Sequence, residues 1–209
     1  MGNITLSEVN KEKDLGVIFI KDLKAVSNCG KVVKNANRIL GMINEIFRTK
    51  VFKLYCHYTK SLVRPKIDYC IQAWRPYLKK DIEQLERVQK RATRLVNGFR
   101  HLPYDVRFQK LGLVIIENLF KWADIIETFK ILHDLDKCDS SLFFTLDKGV
   151  CRGHSLKLFK KWARLDLRKH SYGYRVVDDW NSLDDVTVTS QTLGSFKTRL
   201  HKYVTRWGI

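Results

Sequence analysis

The spacing of apolar positions changes once along the chain. Ile4-Thr5-Leu6-Ser7-Glu8-Val9 alternates apolar and polar, and Asp14-Leu15-Gly16-Val17-Ile18-Phe19-Ile20 is β-branched and apolar. That pattern predicts two short strands around a charged turn at Asn10–Lys13. From residue 25 onward the period is helical, with Val33, Ala36, Leu40, Ile43 and Phe47 on one face. A second helix is predicted from about Val51 to Val63, ending before Pro65 because proline disfavours helical backbone in the residue ahead of it. Tyr69 to Tyr77 is rich in aromatic residues and reads as irregular.

The clearest helical pattern spans Leu78 to Val96. Ile82, Leu85, Val88, Ala92 and Leu95 form its inward stripe, Asp81 suits the first turn, and Asn97-Gly98 is a stop. A short helix over Pro103–Gly112 follows, then a long one from Ile116 to Leu135 with Leu119, Trp122, Ile126, Phe129 and Leu132 inward. Residues 136–153 read as a loop and a boundary. The tail holds a segment at Tyr174–Leu183 and a last helix from about Leu193 to Trp207, with Phe196, Leu200 and Val204 inward. The expected architecture is therefore mainly α. A short N-terminal β-hairpin (1–24) precedes a helical bundle (25–135) and a helical C-terminal extension (136–209).

Charge sharpens this picture. Among 209 residues, Lys and Arg number 39 against 22 Asp and Glu, a net charge of +17. Such an excess points to a polyanionic partner, and RNA or DNA is favoured over a membrane because no basic amphipathic segment stands apart. At 44% hydrophobic the chain can bury a core. The 5 cysteines are scattered and odd in number, against a disulfide framework. No secretion signal or long apolar run is visible, so an intracellular location, nuclear or cytoplasmic, is expected.

Two basic sets stand out. Arg87, Lys90, Arg91 and Arg94 fall at i, i+3, i+4 and i+7, one stripe of a helix, with Glu83 and Glu86 one turn earlier. That arrangement suits contact with a phosphate backbone, and it equally suits a solvated face laced by Glu83–Arg87 and Glu86–Lys90 pairs. Arg152–Arg175 carries 8 Lys or Arg and the single acid Asp166. Within it Lys157, Lys160, Lys161, Arg164, Arg168 and Lys169 are interleaved with Phe159, Trp162, Tyr172 and Tyr174. Cations for phosphates and rings for stacking make up a single-strand-binding surface, unless the rings are core anchors and the cations merely face water.

No enzyme site is expected. Asp178-Asp179 and Asp184-Asp185 are adjacent pairs that diverge on a helix, whereas two-metal catalysis needs converging carboxylates. Cys138, Cys151, His154 and His170 match no compact zinc spacing, and Cys56-His57 lacks an orienting acid. No cofactor or metal is expected.

Several segments, in order, resemble the end of LINE-type (non-LTR, jockey-like) retrotransposon reverse transcriptases. Lys13-Asp14-Leu15-Gly16-Val17 is similar to the hairpin at the end of that family's palm. Ser61-Leu62-Val63-Arg64-Pro65 with Ile67-Asp68-Tyr69-Cys70 resembles its SLVRP…YC motif. Trp74, Pro76-Tyr77-Leu78 and Leu85-Glu86-Arg87-Val88-Gln89-Lys90-Arg91-Ala92-Thr93 follow, then Leu111-Gly112-Leu113 and Ile126-Glu127-Thr128-Phe129-Lys130-Ile131-Leu132. Arg152-Gly153-His154-Ser155, Arg175-Val176-Val177, Trp180-Asn181-Ser182-Leu183 and Phe196-Lys197 complete the set, which covers nearly the whole chain.

The resemblance implies a palm-end hairpin, a helical thumb that grips primer–template, and a basic extension. The family's catalytic palm and endonuclease belong to earlier segments, so binding of RNA and DNA without polymerisation is expected, with self-association through a palm-facing surface. The sequence departs from the family at Leu119-Phe120-Lys121-Trp122, where a basic cluster is frequent. It also departs at Asp184, where proline is common, and at Trp162, where a basic residue is common. A host-adopted protein-interaction module and a relic of a truncated element are the alternatives.

Overall fold

A computed structural model describes residues 8–46, 57–147, 149 and 153–206, the last three of these by backbone alone. The chain is mainly helical after a two-stranded antiparallel hairpin, β1 (Lys11–Asp14) and β2 (Val17–Ile20). Asp14 pairs with Val17 across Leu15-Gly16, whose φ values are 44° and 85°. Two successive positive φ values make the tight hairpin turn that matches strand twist, and glycine supplies one of them without steric cost. The turn therefore lies at Leu15-Gly16 and the predicted turn residues 11–13 are strand. Every β1 side chain is exposed, so pairing is set by the turn rather than by a buried face. Residues 4–7 of the predicted first strand lie outside the described residues.

The hairpin is tied to the helices. Asn28 accepts from the Ile18 amide at 2.8 Å and donates to the Ile18 carbonyl at 2.6 Å, extending the β2 edge with a side chain. Tyr69 donates its hydroxyl to the Leu15 carbonyl at 2.8 Å, and Lys31 donates to the Gly16 carbonyl.

Helix α1 (Val26–Ile46) buries Ala36, Leu40 and Ile43 of the predicted stripe and also Cys29; Val33 is half-buried and Phe47 lies outside the described residues. The predicted helix ending before Pro65 instead passes through it. A π-helical turn at Thr59–Val63, closed by the Arg64 amide donating to the Thr59 carbonyl, leads into α2 (Arg64–Asp68) with Pro65 in its first turn. Residues 51–56 of that helix are outside the described residues. The predicted irregular segment holds a short helix, α3 (Ile71–Trp74).

Helix α4 (Lys79–Arg94) buries Leu85, Val88 and Ala92, while Ile82 and Leu95 are half-buried. It is followed by α5 (Tyr104–Lys110) and α6 (Ile116–Leu132). Among the described residues the hydrophobic interior forms two clusters, and α6 feeds both: Ile116, Leu119 and Phe120 enter one, Ile125, Phe129 and Ile131 the other. Of the predicted inward stripe, Leu119 and Phe129 are buried, but Trp122, Ile126 and Leu132 are only half-buried. Neighbours α3, α4, α9 (Val177–Asn181) and α11 (Leu193–Arg206) cover α6 from several sides, so no single stripe carries its burial.

Between α6 and α11 the chain forms short elements. Leu146 and Leu158 make an antiparallel bridge, and α7 (Asp166–Lys169), α8 (Tyr172–Arg175) and α10 (Asp185–Val188) follow it. Trp180, Phe196 and Leu200 are fully buried, with the Phe129 and Phe196 rings stacked 4.0 Å apart. No helix among the described residues is long and apolar enough to cross a membrane.

Candidate nucleic-acid interface

The amphipathic pattern of α4 fixes its orientation: Leu85, Val88 and Ala92 face the core, so Arg87, Lys90, Arg91 and Arg94 all emerge exposed. The expected Glu83–Arg87 pair is present at 4.0 Å between exposed groups, where it contributes little. The expected Glu86–Lys90 pair does not form. Glu86 turns inward, accepting from the Tyr104 hydroxyl and, at 3.0 Å, from the Ile116 amide, where a carboxylate also favours the start of α6. Lys90 instead lies 4.9 Å from the centre of the Tyr104 ring, and Arg91 donates to Asn37 at 3.3 Å. Among the described residues no acid pairs with Lys90, Arg91 or Arg94, so this face is more basic than its sequence suggests.

The second set is positioned by Trp180 and Asn181. Trp180 is buried and donates Nε1–H to the Leu156 carbonyl at 2.8 Å. Asn181 accepts from the Leu158 amide at 2.9 Å and donates to the Leu158 carbonyl at 2.8 Å. With Leu158 buried, this clasp sends its neighbour Phe159 outward. Phe159 is 53% exposed and Trp162 83% exposed. These two rings are not core anchors. Tyr172 is one, buried with its hydroxyl 3.0 Å from that of Thr128, and Tyr174 is half-buried beneath Lys160, 5.0 Å from its ring centre.

An open cleft of about 440 Å³ runs here, lined by Phe143, Phe159, Lys160, Lys161, Arg168 and Tyr174 among others. Lys160 is bonded to Asp178 and Lys169 to Asp166 at 3.0 Å, while Lys161, Arg164 and Arg168 are exposed. Lys157 is half-buried with its side chain beside Gly153, away from the cleft lining. The two basic sets rest on different clusters, α4 on the first and the 153–175 segment on the second.

Arg107 stands outside both sequence-predicted sets. It is 2% exposed, its Nε and Nη1 have no hydrogen-bond partner, and its guanidinium lies 5.6 Å from the Tyr104 ring centre. Its pKa is lowered by burial and then by the charge of Arg94. Nothing in the sequence distinguishes it from other arginines, because its burial arises from the α4–α5 packing.

The positions considered for metal or acid chemistry take up structural contacts. His154 is buried against the Trp180 carbonyl at 3.2 Å, and His170 stacks on Tyr77 with ring centres 4.4 Å apart; Cys151 is outside the described residues. Among the described residues no group of three or more His, Cys, Asp or Glu is placed to hold a metal. Asp178 is bound by Lys160, and burial raises the pKa of Asp179. Asp184 accepts from the Thr187 amide at 2.6 Å and so caps α10. Leu119 and Phe120 are buried.

No protein-family model, curated protein or solved structure matches the chain.

Proposed function

We propose that this chain binds nucleic acid as the thumb and C-terminal region of a jockey-like LINE-type reverse transcriptase, without adding nucleotides itself. The family assignment rests on the ordered motifs from Lys13-Asp14-Leu15-Gly16-Val17 to Phe196-Lys197. The binding role rests on one observation above all. Phe159 and Trp162 expose their rings among Lys160, Lys161, Arg164 and Arg168 instead of filling the core. Exposed rings offer stacking faces to unpaired bases, and the cations offer charge to phosphates. The α4 stripe of Arg87, Lys90, Arg91 and Arg94 supplies a separate, ring-poor face suited to a duplex backbone. The partners are then RNA and DNA, met in the nucleus or cytoplasm.

Fluorescence anisotropy of the whole chain with an RNA–DNA hybrid, duplex DNA and single-stranded RNA, each across a salt series, tests this. Tight binding with a steep salt dependence and a preference for hybrid or RNA is expected. Weak binding without preference overturns the reading. Capture of acidic proteins that survives ribonuclease would point to a protein-interaction module instead.

A further inference from the structure

Arg107 is buried where no described residue balances its charge. A guanidinium stays ionised at any ordinary pH, and removing it from water without a partner is costly. Arg107 is 2% exposed, with Nε and Nη1 shielded from water and unbonded. The neighbours add like charge rather than relief. Lys90 and Arg107 approach the Tyr104 ring, at 4.9 and 5.6 Å from its centre. Arg94 is near enough to depress the guanidinium's pKa further, after burial itself. Glu86, the acid that reaches Tyr104, already accepts from the Tyr104 hydroxyl, from Gln89 and from the Ile116 amide. No ion pair reaches Lys90, Arg94 or Arg107 among the described residues.

The ring of Tyr104 provides an attractive face for cations, but only a fraction of what a counter-ion provides. Unbonded guanidinium donors beside further cations, with the neighbouring Glu86 carboxylate already engaged by three other donors, are the arrangement a bound anion completes. The planar fork of arginine matches two oxygens of one phosphate, and flanking cations take the rest of its charge. Arg94 also belongs to the exposed α4 stripe, so an anion here continues a line of cations along the helix.

We propose that Arg107, with Lys90 at the same Tyr104 ring and Arg94 on the exposed α4 stripe, forms a phosphate-binding site that holds one backbone phosphate of nucleic acid lying along α4. The source of the phosphate rests on the nucleic-acid reading above; the site itself rests on the unpartnered guanidinium.

Thermal unfolding of the full chain, in inorganic phosphate and in chloride at matched ionic strength, tests the site. The wild type gains several degrees in Tm from phosphate over chloride. Arg107→Met, which removes the buried charge and keeps the bulk, starts from an equal or higher Tm and loses that difference. Arg107→Lys, which keeps the charge and loses the fork, retains a smaller one and serves if the Met variant folds poorly. In parallel, Arg107→Met weakens hybrid binding about tenfold and reduces the salt slope by about one phosphate contact. A phosphate effect equal in wild type and Arg107→Met, or none at all, overturns the site. Hybrid binding indifferent to Arg107→Met overturns the backbone phosphate as its occupant. Phosphate stabilisation that requires Arg107, in a chain that binds no nucleic acid, overturns both that occupant and the functional reading, and leaves a site for free phosphate.

Discussion

Asp124 and Arg175 face each other carboxylate to guanidinium, with Nε donating to Oδ2 at 2.8 Å and Nη2 to Oδ1 at 3.0 Å. Arg75 donates to the same Oδ2 at 2.7 Å. Asp124 is 1% exposed on α6, while Arg75 follows α3 and Arg175 closes α8. Arg175 goes on to the carbonyls of His170 at 3.0 Å and Gln72 at 3.2 Å. One carboxylate thus ties a residue beside the first core cluster to a residue beside the second.

Removing that carboxylate leaves two guanidinium groups facing one another. Asp124→Asn is expected to lower stability by about 3–5 kcal/mol, the usual cost of breaking a buried pair on one side. Urea denaturation reads the loss directly. The triple change Asp124→Leu, Arg75→Met, Arg175→Met should recover most of it, because the apolar set leaves no charge unpaired. A single variant within 1 kcal/mol of wild type, a margin of little consequence for a buried pair, would show that water already screens the cluster.

What the sequence makes legible depends on how many sides of an element are buried. Helix α4 has one covered side, so Leu85, Val88 and Ala92 repeat at helical spacing and the cationic stripe opposite them is visible in advance. Helix α6 is covered from several sides, so Ile116, Phe120, Ile125 and Ile131 join the interior off the expected stripe. The alternation of apolar residues misplaces the β1–β2 turn because Leu15, an unusual residue for a φ of 44°, precedes Gly16 and no Asn-Gly or Asp-Gly pair marks it, although the hairpin likeness of Lys13-Asp14-Leu15-Gly16-Val17 covers it. In the basic segment, composition names the rings but cannot sort them. Tyr172 goes inward and Trp162 outward according to the clasp that Trp180 and Asn181 place on Leu156 and Leu158. Arg107 was invisible for the same reason: tertiary packing alone decides which arginine loses its water.

The Asn181 clasp predicts a coupling between a core motif and the basic segment. Asn181→Ala removes an acceptor and a donor from the backbone of Leu158. A loss of about 1–3 kcal/mol is expected from the unsatisfied backbone groups. Hydrogen exchange should quicken at 156–161 before other parts of the chain, and affinity for single-stranded RNA should fall with it. Unchanged exchange there would mean that the Leu146–Leu158 bridge suffices to hold the segment.

The exposed rings predict a separation of binding from stability. Phe159→Ala and Trp162→Ala should each change folding stability by no more than about 0.5 kcal/mol, as surface positions do. Each should weaken binding of single-stranded RNA by about 1–3 kcal/mol, the range for a stacked base. Duplex DNA should be nearly indifferent, since its bases are already stacked. Tyr172→Ala provides the contrast, because its ring is buried and its loss should destabilise the fold. If both exposed-ring variants bind RNA like wild type, the rings are not a stacking platform.

His154 gives the chain an acid-sensitive step. Its ring is 3% exposed, edge-on to the Trp180 indole at 6.0 Å, with Nε2 toward the Trp180 carbonyl and Nδ1 shielded without a partner. Burial lowers its pKa; the Trp180 carbonyl opposes that, Lys157 adds to it, and Asp185 opposes it. A histidine held neutral in the folded state protonates more readily when unfolded, near pH 6.5. Its contribution is therefore fully present above about pH 6.5 and is lost as the pH falls below it. Asp68 works in the opposite sense, because burial raises its pKa to about 6, so protonation favours the folded state as the pH falls from 6 toward 4. The two slopes overlap and partly cancel in the wild type. The informative measurement is the difference in unfolding free energy between wild type and His154→Phe at pH 7.5 and pH 5. The variant should lose the acid-side decline and grow more stable relative to wild type at pH 5. An identical pH dependence in the two proteins would show that His154 meets water in solution.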